Sequence, residues 1–105
     1  MSETVVNLLN EIYHKHEVLS NPLRTLILTI VLAQNEVSWN DVVGNLESVM
    51  KRRFNPNSIS FHLKRLIDGG FVEKSGTVYI PGPKAIEVQG ELEKLTVELR
   101  KEIES

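Results

Sequence analysis

The chain has no cysteine, so disulfides, thiolate metal sites and cysteine nucleophiles are excluded from the outset. It also has no apolar stretch long enough to cross a membrane: the longest, over 26–33, is interrupted by Thr29, and no basic segment followed by an apolar one opens the sequence. A cytoplasmic protein with no membrane partner is the resulting expectation. Catalytic signatures are missing as well, with no glycine-rich phosphate loop, no His-Glu-x-x-His helix and no nucleophile-base pair. An enzyme is not expected, nor a small-molecule substrate or cofactor. Internal repeats and low-complexity segments are absent, and an overall positive charge is absent too, the formal net charge being -2.

What is present fits one soluble domain. The 105 residues, 41% hydrophobic and 25% charged, are near the common size of a single domain with a modest core. The charge is sorted along the chain. Between positions 51 and 74 six basic residues (Lys51, Arg52, Arg53, Lys64, Arg65, Lys74) meet only Asp68 and Glu73, a local balance of +4, while the remainder carries -6. A basic middle is thus set between acidic ends.

The most informative stretch spans 55–80, NPNSISFHLKRLIDGGFVEKSGTVYI. Asn55 offers a capping side chain and Pro56 a first helical residue whose missing N–H costs nothing. Ile59, Leu63 and Leu66 then follow at helical spacing, with Gly70 in the same row, and must face a core. The other side carries Asn57, Phe61, Lys64, Arg65 and Asp68. Gly69-Gly70 supplies the positive φ that stops the helix. Two short strands, 71–74 and 77–80, follow around Ser75-Gly76 as a hairpin. A helix with one apolar stripe, polar and cationic groups opposite, and a β-ribbon straight after it is the pattern of a reading helix, 56–68, with a wing, 71–80.

Around this stretch the rest of the chain reads as helices. Over 4–19 the apolar residues Val5, Leu9, Ile12 and Leu19 recur at helical spacing with His16 in the series. Asn21-Pro22 restarts the chain in a helix over 23–34 that is apolar nearly all round and belongs at the centre of the core, despite β-branched residues that suit a strand. Glu36-Val37 is a short extended piece. Ser38 and Asp41 make a capping box for a helix from Trp39, with Val42, Val43 and Leu46 inward. Pro81-Gly82-Pro83 breaks the second strand, and a last helix, 83–104, carries Val88, Leu92, Leu95 and Leu99 as a short heptad seam. Gly90 weakens that helix by about 1 kcal/mol. The fold class is mainly α with a small β-hairpin (α+β): a winged helix-turn-helix core, 20–80, with extra N- and C-terminal dimerisation helices.

The order of elements resembles the winged-helix transcriptional regulators of the ArsR and MarR type. Ile59-Ser60-Phe61-His62-Leu63-Lys64-Arg65-Leu66 with Gly69-Gly70-Phe71-Val72 is similar to that family's recognition helix, and Asn21-Pro22-Leu23-Arg24 to its Asp-Pro-x-Arg opening of the core helix. The resemblance implies a homodimer that binds double-stranded DNA in sequence-specific fashion, the recognition helix in the major groove and the wing beside the backbone. It places Asn57, Ser58, Phe61 and Lys64 near the bases. Phe61 stands where the family often has arginine, which removes a bidentate guanine contact and leaves a phenyl edge for a thymine methyl. Pro56 cannot make the polar contact often found at its position, the link from the Ser38 helix to Asn55 is longer than usual, and only Lys74 lies near the wing tip.

Phosphate neutralisation is the expectation for Lys51, Arg52, Arg53, Arg65 and Lys74. Asn57 and Ser58 could equally serve as helix-end caps. His62 is expected to be packed and hydrogen-bonded, and Trp39 and Tyr79 to pack in the core or wing. The dimer interface is expected at Val5, Leu9 and Ile12 of the first helix and Val88, Leu92, Leu95 and Leu99 of the last, the alternative being that both helices fold back on their own domain. His14 and His16, near Glu11 and Glu17, point apart when two residues separate them on a helix, so no metal site is expected. A second function class stays open: a winged-helix protein-interaction or assembly module with little or no DNA binding, to which the acidic total charge and the aromatic Phe61 are suited.

Overall fold

A computed structural model describes residues 3–104. In chain order they form α1 (Glu3–Ile12), a 3-10 turn (Glu17–Ser20), α2 (Pro22–Gln34), β1 (Val37–Ser38), α3 (Trp39–Met50), α4 (Pro56–Asp68), β2 (Val72–Ser75), β3 (Val78–Pro81), a second 3-10 turn (Pro83–Ala85) and α5 (Ile86–Glu104). The architecture is mostly helical with a small antiparallel sheet.

The centre is α2. Asn21 accepts a hydrogen bond from the Arg24 N–H at 3.0 Å and Pro22 occupies the first turn, so the helix starts where local chemistry dictates. From Thr25 to Val31 every residue is buried, and Ala33 with them. The two buried threonines are satisfied by nearby backbone: Thr25 Oγ1 donates to the carbonyls of Leu19 in the 3-10 turn and of the capping Asn21, and Thr29 Oγ1 to that of Thr25 at 2.7 Å. Burial on all sides therefore overrides the weak helix propensity of the β-branched residues. Around α2 pack α3, α4, α5, the first 3-10 turn and β3.

Three expectations about the ends of the molecule are corrected. The first helix stops at Ile12 rather than running to Leu19. His16 is extended, and its Nδ1 accepts from the Val18 N–H at 3.2 Å, so it caps a 3-10 turn that drops Val18 and Leu19 into the core. Pro83 opens a second 3-10 turn and not α5 itself. Most consequential, Val5, Leu9, Ile12, Val88, Leu92, Leu95 and Leu99 are all buried within the single chain. Helices α1 and α5 pack against each other, and α5 also covers α2. The seven residues expected at a dimer interface are instead the cover that an all-round apolar α2 requires, so they are not free to meet a second copy.

The sheet also gains a strand. Val37 pairs with Tyr79 and Ser38 with Val78, so the order is β1-β3-β2 where a two-stranded hairpin is expected. The hairpin register runs from Val72 opposite Pro81 to Ser75 opposite Val78, one residue later than expected, and Gly76 takes the positive φ of the turn. Pro81 closes the register instead of breaking the strand.

Helix α4 begins and ends on local signals. Asn55 Oδ1 accepts from the Asn57 N–H at 2.8 Å, and Ile59, Leu63 and Leu66 are buried. At the other end Phe71 N–H donates to Leu66 and Gly70 N–H to Ile67, a Schellman arrangement in which Gly70 alone of the glycine pair has positive φ. The chain then returns over itself at Gly82, whose N–H donates to the Phe71 carbonyl while Lys84 N–H donates to that of Gly70. A methyl at Gly82 would overlap the Gly70 carbonyl oxygen, which is backbone and cannot step aside. Gly82→Ala should therefore destabilise the fold by about 1–3 kcal/mol through overpacking, read as a lower urea midpoint at an unchanged m-value. Among the described residues no helix is long and apolar enough to cross a membrane.

Candidate nucleic-acid interface

The buried stripe of α4 fixes which side is left outward. Asn57, Ser58, Phe61, Lys64, Arg65 and Asp68 are all exposed, and Phe61 keeps 51% of its surface in solvent. The side chains of Asn57 and Ser58 make no hydrogen bond within the described chain, since the capping role belongs to Asn55. Both are thus free for an external contact. The Arg65 guanidinium lies 5.2 Å from the centre of the Phe61 ring, which holds a cation beside the aromatic group. Lys64 meets Asp68 at 3.3 Å one turn on. Both side chains are exposed, and such pairs contribute less than about 1 kcal/mol, so a competing polar group can displace the carboxylate.

A shallow groove lies between this helix and the sheet. Trp39, Leu63, Ile67 and Tyr79 line it apolarly, and Ser60, Lys64 and Lys74 bring polar groups to a space of about 410 Å³. The Lys74 ammonium sits 6.0 Å from the Tyr79 ring centre. Lys64 and Lys74, ten residues apart in sequence, are brought together by the α4 to β2 turn. Ser60 belongs with them and is not among the residues that sequence reasoning selects, although its place one turn before Lys64 is signal enough. The groove itself has no local sequence signal, because Trp39 reaches it only through the pairing of β1 with β3.

The basic triplet sits elsewhere, at the N-terminal end of α4. Lys51 ends α3 in the left-handed conformation at φ 60°, the Arg52 guanidinium lies 4.4 Å over the Phe54 ring, and Arg53 is exposed. The Phe54 N–H donates to Glu47 at 3.1 Å, which ties this longer link back onto α3. Cations therefore flank the helix at both ends, and the triplet does not join the groove. Trp39 and Tyr79 are half-buried against the core as expected. His14 stacks edge-on against Tyr13 and His16 against Phe71, and both histidines lie beyond the end of α1 rather than on a continuous first helix.

His62 joins α4 to the start of α2. Its Nδ1 accepts from Arg24 Nε at 3.3 Å, so the Asn-Pro-Leu-Arg turn grips the flank of α4. Burial holds the imidazole pKa below its ordinary 6.5, with smaller contributions from the Arg24 and Arg65 charges.

No family model, curated protein or solved structure matches the chain.

Because the folded pKa of His62 lies below the ordinary one, folding favours the neutral ring. The stability this supplies is complete above pH 6.5 and is lost as the pH falls through the lowered value. Urea denaturation at a series of pH values should show a steeper loss below about pH 6.5 for the native sequence than for His62→Gln, which can still accept from Arg24 but does not titrate. Parallel pH profiles for the two would remove His62 as the cause.

Proposed function

We propose that this chain is a winged-helix transcriptional regulator that binds double-stranded DNA sequence-specifically as a homodimer, in the cytoplasm, without a cofactor. The observation that carries the reading is the outward face of α4. It presents Asn57, Phe61 and Lys64 uncovered on a helix held rigidly from behind by Ile59, Leu63 and Leu66, with a lysine-bearing hairpin at its side. An α-helix unobstructed on one face fits a major groove about 12 Å wide. In that pose Asn57 reads a base edge and Phe61 touches a thymine methyl, while Lys51, Arg52, Arg53, Arg65 and Lys74 neutralise phosphates. A two-fold dimer sets the two reading helices about 34–36 Å apart and calls for a palindromic site.

A specific observation also favours a second reading. Phe61, the largest exposed apolar group on α4, lies midway along a face where Lys64 already has a carboxylate partner. Such a surface suits a protein partner in an assembly module.

Binding to duplex DNA as salt is raised separates the two. Arg52→Ala with Arg53→Ala should lower the slope of log affinity against log salt by about 1.8, roughly 0.9 for each phosphate no longer neutralised. Asn57→Ala and Phe61→Ala should leave that slope in place and alter the preferred sequence, with about 1–3 kcal/mol of discrimination removed at one base pair by Asn57→Ala. If none of these changes DNA affinity at low salt, the assembly reading replaces the regulator.

A further inference from the structure

Phe61 and Arg65 stand one turn apart on the exposed side of α4 and touch. The Arg65 guanidinium is drawn in over the Phe61 ring, 5.2 Å from its centre, toward the middle of the face and not out along its edge. Among the described residues it has no hydrogen bond or ion pair, because Asp68, three residues on, is taken by Lys64 at 3.3 Å. Its planar fork of donors is therefore open, and an aromatic ring holds it without competing for those donors.

Phe61, Lys64, Arg65 and Asp68 together wall a hollow of about 360 Å³ on this face. A phosphate does not suit it: the Asp68 carboxylate stands in the wall, and the phenyl ring gives a phosphate oxygen no donor. The major-groove edge of base pairs suits each wall. Guanine presents the N7 and O6 acceptors that an arginine fork meets in bidentate fashion, the cytosine amino group is a donor for a carboxylate, and the thymine methyl is an apolar contact for a phenyl edge. Successive base pairs lie about 3.4 Å apart, so two side chains in contact with each other meet pairs that are themselves neighbours.

We infer that Arg65 is a base-reading residue positioned by Phe61, and that the two select a G·C pair next to a T·A pair, the fork on guanine N7 and O6 and the phenyl edge on the thymine methyl. Arg65 thereby moves from the phosphate contacts to the base contacts. The inference rests on the DNA-binding reading above and concerns a single half-site, so it is independent of the dimer.

The test selects duplexes bound by the native chain from a random pool, then changes the preferred duplex at that step. Replacing the G·C pair by A·T should weaken native binding by about 5- to 150-fold, and Arg65→Ala should be nearly indifferent to the change. Uracil in place of the thymine, which removes only the methyl, should weaken native binding by about 4-fold and leave Phe61→Ala unaffected. Phe61→Leu keeps an apolar contact for the methyl but has no ring to hold the fork. It should retain the preference for thymine over uracil and lose most of that for guanine, while Phe61→Tyr should keep both. Phe61 and Arg65 are exposed and outside the core, so these variants leave the fold in place. If Arg65→Ala keeps the guanine preference and lowers the slope of log affinity against log salt by about 0.9, Arg65 contacts a phosphate and the inference is overturned. A full guanine preference in Phe61→Leu overturns the positioning role, and a selected motif without adjacent G·C and T·A pairs overturns the inference alone. A native chain that selects no duplex removes the DNA-binding reading itself and this inference with it.

Discussion

The structure depends on the need to hide α2 from water. A helix with one apolar face can rest on a single neighbour, but α2 is buried from Thr25 to Val31 without a break and must be sheathed all round. Each apolar stripe of the other helices is the answer to one side of it. The stripe of α5 covers one side and is itself backed by α1; Ile59, Leu63 and Leu66 bring α4 against another; Val42, Leu46 and Val49 bring in α3. At this chain length, sheathing a central helix takes most of the apolar side chains present. The exposed groups of α4 and α5 are consequently what remains after that demand is met.

This arrangement makes α4 a rigid presenter. Its buried stripe docks on α2, its start is capped by Asn55, its end is closed by Gly70, and its flank is held where Arg24 donates to His62. Arg24 belongs to the same turn that begins α2, so one short segment sets both the start of the central helix and the orientation of α4. The crossing of Gly82 over Gly70 then fixes the hairpin immediately beyond. Any contact made through its outward face would therefore leave little ordering to be done.

Features encoded within about five residues were legible in the sequence. The Asn21, Ser38 and Asn55 caps, the starts of α2, α3 and α4, and the buried stripe of α4 all depend on side chains next to the backbone they serve. Features requiring tertiary knowledge were not. The pairing of Val37 with Tyr79, which makes a third strand and carries Trp39 to the groove, joins residues far apart in the chain. The end of α1 at Ile12 was hidden because His16 has helical spacing yet does more as a cap, where its Nδ1 can accept from Val18. Of the candidate site, the outward face of α4 was readable, while Ser60 and the meeting of Lys64 with Lys74 were understated because residues weighed singly do not reveal a groove.

The seam of α5 shows a deeper ambiguity. A heptad stripe states that a helix has an apolar side and is silent on whether the opposing surface belongs to the same chain. The stronger stripe, four large aliphatic residues, is taken by α2 and α1 because an internal partner is always at hand and needs no second molecule to be bound. The row on the opposite side, Ile86, Gly90, Glu93 and Val97, holds a glycine and a glutamate, cannot compete for the core and is left outside. The apolar side of this short helix therefore supplies the fold, and an internal neighbour takes it before any second molecule can.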